Sequence, residues 1–97
     1  MCADTMFIIA KHTASDPDAF IQAAGEMLDD PSAIPDEYTI RQVYPASTNE
    51  EAICLWEAES IESLQGFLDP ALDGKSTQEY FEVNESIALG LPEPPRA

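Results

Sequence analysis

A chain of 97 residues and 10.6 kDa has material for one hydrophobic core, since single cores serve about 50 to 200 residues, so a division into two domains is excluded. An apolar fraction of 44% separates it from disordered chains despite 19 acids against 4 bases, a formal charge of −15. Only Lys11, Arg41, Lys75 and Arg96 could displace counterions from a phosphate backbone, which disfavours nucleic acid and an anionic membrane surface as partners.

Residues 1–5 read as a leader without the positive start and long apolar stretch of a secretion signal, and no apolar stretch approaches the ~20 residues of a membrane helix. A soluble, cytoplasmic protein is expected. Cys2 and Cys54 are too few for a disulfide framework, and Cys54, inside an apolar run, reads as a small buried hydrophobe of a reducing compartment.

Met6 to His12 is a short run of β-formers and is predicted as the first strand. Ser15 or Asp16 then caps a helix, Pro17 suits its first turn, and Phe20, Ala24, Met27 and Leu28 recur at the spacing of one helical face. Two prolines and four acids between Asp29 and Glu37 form a loop, with Ile34 as an anchor. Tyr38 to Tyr44 and Ala52 to Ala58 make a strand pair joined by a polar loop; Ile40 and Val43 fall on opposite faces of the former, the sign of a bulge. Ser60 caps a second helix with the stripe Ile61, Leu64, Leu68 and Leu72, in which Asp69-Pro70 makes a kink or a fresh turn, and Asp73-Gly74 closes it. Tyr80 to Asn84 is a fourth strand, Ile87 to Leu91 a last helical turn or a fifth extended piece, and 92–97 a flexible Pro-rich tail.

The order βαββαβ defines an α+β, ferredoxin-like arrangement: one four-stranded antiparallel sheet with both helices on one face, made as a single domain over residues 1–97. The other face should then alternate apolar with polar, yet in the first strand Phe7 and Ile9 as well as Ile8 and Ala10 are apolar, and in the third Ile53 and Leu55 alternate with Cys54 and Trp56. A face so apolar calls for a cover, and a second copy of the sheet in a homodimer is the simplest one.

With Phe7-Ile8-Ile9-Ala10-Lys11-His12 on the first strand, Cys54-Leu55-Trp56-Glu57-Ala58 on the third and Glu79-Tyr80-Phe81-Glu82-Val83 after the second helix, the chain resembles the dimeric α+β barrel superfamily, and within it the small ferredoxin-like proteins that include nickel-binding members. The resemblance implies sheets packed face to face around a cavity in each subunit. It spans branches with cofactor-free monooxygenase, cyclase and haem-dependent peroxidase activities, so it points to fold rather than to chemistry.

His12, the single histidine, shares parity with Ile8 and Ala10 and is placed on the uncovered face near a rim, as a satisfied rim histidine, a substrate-contacting base or a ligand to nickel or zinc. No cofactor is required by any motif. Arg41 is a structural ion-pair partner of Glu57 or Glu82, or else a grip for an anionic ligand. Trp56 and Tyr80, with Tyr44 as a third, are candidates for aromatic lining beside Cys54; Glu82, on the Tyr80 parity, is a strand-end acid or an inward carboxylate paired with His12. Three functions remain open: a homodimeric protein binding a small molecule or metal in a cavity at the open sheet face, a cofactor-free monooxygenase or cyclase using His12, and an interaction module whose cavity is filled by its own side chains.

Overall fold

A computed structural model describes residues 5–92. Its elements are β1 (Met6–Ala14), α1 (Pro17–Asp29), a 3₁₀ turn (Pro31–Ala33), β2 (Thr39–Pro45), β3 (Glu51–Ala58), α2 (Ile61–Ala71) and β4 (Ser76–Glu82). All strand pairs are antiparallel in the order β2-β3-β1-β4, which with the two helices is the ferredoxin-like fold. The expected leader and tail lie largely outside the described residues; Thr5 donates to Glu57 Oε2 at 3.4 Å, and Pro92 is half-buried.

Local chemistry sets the boundaries. The Asp16 side chain accepts from Ala19 N–H at 3.2 Å and Pro17 opens the first turn of α1; Ser60 accepts from Ser63 N–H at 3.0 Å to start α2. Pro70 is carried inside the last turn of α2 rather than breaking it, and the left-handed Gly74 (φ 78°) turns the chain into β4. Arg41 is the extra residue of a bulge in β2: the register with β3 jumps from Ile40↔Trp56 to Gln42↔Leu55. The bulge restores parity, so Ile40 and Val43 both face the helices.

The core joins Ile8, Ala10, Cys54, Trp56 and Ala58 of the sheet to Leu64 and Leu68 of α2, with Ile34 packed against it as the anchor of the α1–β2 loop. Tyr38 stacks on Phe67 with ring centroids 5.1 Å apart, and Phe67 meets Trp56 edge-on at 6.1 Å, which fixes the indole at one end of the sheet.

Two expectations are corrected. The set Ile8, Ala10, His12 faces the helices, so His12 is not on the uncovered face. Residues 87–91 form neither helix nor strand: after Val83 N–H bonds Phe7 O at one edge, the chain turns and by Gly90, whose carbonyl accepts from Gln42 Nε2 at 3.3 Å, it has reached the opposite edge. Gln42 shares its face with Leu55, so this crossing lies on the side away from the helices. Phe7, Leu55 and Glu57 are buried on that side. The chain's own C-terminal segment therefore crosses part of the face for which a second copy was expected as cover. Beyond it Tyr44, Ile53 and Phe81 stay exposed.

Candidate functional site

Helix α1 buries only Phe20, and between the helix and the sheet lies a cavity of about 200 Å³. Ile21, Ala24 and Met27 form its helical wall, Ile40, Val43, Cys54 and Trp56 its floor, and His12 its main polar wall group. The cavity is thus between sheet and helices, not on the open sheet face. Gly25 also lines it, and a Cβ added there would meet nothing within 4 Å.

At the floor, Trp56 is 1% exposed, and its Nε1–H has no hydrogen-bond partner among the described residues. Cys54 beside it is 7% exposed, and burial pushes its thiol up to about 12, so it is a neutral wall atom rather than a nucleophile.

At the other end, the His12 ring packs on Phe20 with centroids 5.4 Å apart, and its Nδ1 lies 3.2 Å from Gln78 Oε1. The Ser76 hydroxyl also donates to that oxygen. Gln78 Nε2 donates to Asp69 Oδ1 at 2.9 Å, Tyr80 O–H donates to the same oxygen at 2.8 Å, and Gln65 Nε2 donates to Oδ2 at 3.1 Å. Burial lowers the His12 imidazole below its ordinary 6.5, outweighing the Gln78 bond and the Asp69 charge, so the ring is neutral. Desolvation acts to raise the Asp69 carboxyl, but the bonds from Gln78, Tyr80 and Gln65 overcome it and hold the group below its usual range as an ionised acceptor. Burial, then the Asp69 contact, pushes the Tyr80 phenol well above its usual range, which keeps it a donor.

Of the residues singled out in the sequence, His12, Cys54 and Trp56 line one cavity. Tyr80 does not line it; it sits behind His12 as a donor to Asp69. Arg41 is across the sheet, its Nη1 2.7 Å from Glu57 Oε1, and does not reach the cavity. Glu82 is exposed at the end of β4 and makes no pair with His12, and Tyr44 is 62% exposed on the face opposite the cavity. For nickel or zinc the donor set does not fit: among the described residues no three His, Cys, Asp or Glu side chains converge, and His12 Nδ1 is taken by an amide.

Sequence reasoning missed Gln78 and Asp69. The parity of Gln78 with Tyr80 on β4 was the available signal for the first, but the strand was predicted to begin only at Tyr80, so Gln78 lay outside it.

The architecture belongs to the α+β, ferredoxin-like class. Among solved structures the chain is similar to SnoaB, a cofactor-independent oxygenase from Streptomyces nogalater, at 18% identity over 94% of this chain and 100% of that one, with a TM-score of 0.53. That likeness is one of fold. No family model and no curated protein matches the sequence.

Proposed function

We propose that the chain is a small ligand-binding protein whose cavity between α1 and the sheet takes a compact, largely apolar molecule bearing a hydrogen-bond acceptor. The observation that carries this is the open, almost wholly apolar space under α1, lined by Trp56, whose buried indole N–H is unpaired among the described residues. A donor left so costs about 1–3 kcal/mol, which a ligand carbonyl oxygen would recover once the indole shifts enough to meet it. An interaction module without ligand would need side chains to fill the space, and a Gly at position 25 leaves it open.

The direct test uses solution NMR with 1-tetralone, a bicyclic ketone. Trp56 is the single tryptophan, so its indole N–H is one resonance. It should move along a saturating one-to-one curve, and tetralin, which lacks the carbonyl, should bind more weakly. An indole resonance unmoved by the ketone would sink the reading.

A second reading, an enzyme of the cofactor-independent oxygenase kind in which His12 moves a proton, is favoured by the fold shared with SnoaB and by a neutral imidazole in the cavity wall. It predicts oxygen uptake with hydroxylated bicyclic aromatics that His12→Ala abolishes; uptake unaffected by that change would count against it.

The reading further includes a homodimer pressed together through the open face. Tyr44, Ile53 and Phe81 on that face, with Ile87 and Leu89 of the crossing segment 79% and 98% exposed, are the apolar surface such a contact would bury.

A further inference from the structure

We propose that Asp69, acting through Gln78, holds His12 as the Nδ1–H tautomer, so that an unprotonated Nε2 meets the cavity and selects ligands carrying a hydroxyl of the phenol or enol class. The ligand half rests on the binding-cavity reading above; the tautomer half stands without it.

The inference runs from the outermost group inward. An ionised carboxylate only accepts, so Asp69 Oδ1, 2.9 Å from the Gln78 amide, faces its NH₂ end. The opposite end, the carbonyl Oε1, must then face His12, and it is already the acceptor for the Ser76 hydroxyl. An acceptor 3.2 Å from Nδ1 requires the proton on Nδ1. A neutral ring carries one N–H, which leaves Nε2 with its lone pair.

No group among the described residues hydrogen-bonds Nε2; Phe20 packs on the ring, and Ala52 and Leu72 line the same cavity as His12. A hydroxyl would donate to that lone pair, whereas a ligand with acceptors alone would set lone pair against lone pair. Trp56, whose N–H is unpaired among the described residues, would set the opposite preference at the far end. His12 pairs with Ala52, four residues before Trp56 on β3, so the two groups are set about 13 Å apart at the backbone. A ligand engaging both would carry its hydroxyl and its acceptor at opposite ends of an apolar body. Asp69 and Gln78 are positioning residues, since they act on the ligand only through His12.

Because His12 is the single histidine, ring-¹⁵N histidine labelling gives one pair of nitrogen signals. At pH 7.5 the native protein should show a protonated Nδ1 and a pyridine-type Nε2. Asp69→Ala and Gln78→Met should each raise the Nε2–H fraction, while Gln78→Glu, which restores an acceptor at Nδ1, should keep the native form. A native ring in the Nε2–H or imidazolium form would overturn the relay, as would an unchanged tautomer in a folded Asp69→Ala chain; if that variant does not fold, the native signal decides. For the ligand half, NMR titrations compare 1-naphthol with 1-methoxynaphthalene. The naphthol should bind about fivefold more tightly, the ratio that one hydrogen bond of ordinary strength gives, and the ratio should approach one in His12→Phe. Equal affinities in the native protein would overturn the selectivity. Failure of both probes to bind would overturn the ligand half together with the cavity reading, and the tautomer signals would still judge the relay alone.

Discussion

Trp56 serves the core with its ring and leaves its N–H unspent. Trp56→Phe keeps an aromatic ring there and removes the unpaired donor but also deletes buried ring volume, so the two effects oppose and stability to urea should fall by no more than about 2 kcal/mol, while affinity for 1-tetralone falls. A loss of several kcal/mol would mean that the indole is needed for packing alone. Cys54, with its thiol pushed up to about 12, should resist iodoacetamide at pH 8 and be labelled only in denaturant, as peptide mapping would show. His12 gives a pH signature of known sign. Its pKa is lowered in the folded state, so the unfolded chain binds the extra proton first: the stability His12 contributes is complete above 6.5 and is lost as pH falls from there toward the folded value. Relief of repulsion among the 19 acids acts oppositely, so the measurement is a difference. The urea midpoint of the native chain should drop between pH 7 and 5 relative to that of His12→Gln; parallel curves would show that the buried imidazole is not coupled to folding.

Among the elements, α1 shows most plainly how packing and opening are balanced. Glycine in a helix interior costs about 0.5–1 kcal/mol relative to alanine, and Gly25 has open space where its side chain would be, so Gly25→Ala should raise stability by about that amount in urea titrations. In β2 the bulge places the Arg41 guanidinium on Glu57, a carboxylate 7% exposed. Arg41→Ala would leave that buried charge short of its cation and should destabilise by about 2 kcal/mol, whereas a purely surface pair would cost less than half of this. The caps at Asp16 and Ser60, the hairpin and the bulge were all legible because each depends on neighbours in the chain. The face on which His12 lies was not. Sheet parity is read from a contrast between wet and dry positions, and here the contrast is missing, since Phe7 and Leu55 on the far face are as buried as Ile8 and Trp56 on the helix face. Gln78 and Asp69 escaped for a related reason, since a link between the last turn of α2 and β4 exists only once the strand is docked.

At the scale of the whole molecule, the four-stranded order followed from the element sequence, but the cavity could not be assigned to the right side of the sheet until the helices were placed. No helix among the described residues is long and apolar enough to cross a membrane. On the open face the segment 83–92 crosses from β4 to β2, and beside it apolar side chains stay exposed: Phe81, opposite Ile9, and Tyr44, opposite Ile53. Light scattering after size exclusion should therefore report two chains at micromolar concentration, and Phe81→Asp should return one; a native monomer would remove the dimer while leaving the cavity intact.

The cavity itself is judged best by native mass spectrometry of the protein purified from its source, beside a Gly25→Leu chain expressed in the same cells. The native chain should carry one small organic molecule per subunit, which the leucine expels from the space under α1. Bare native chains, or a molecule held undiminished by the filled variant, would contradict it.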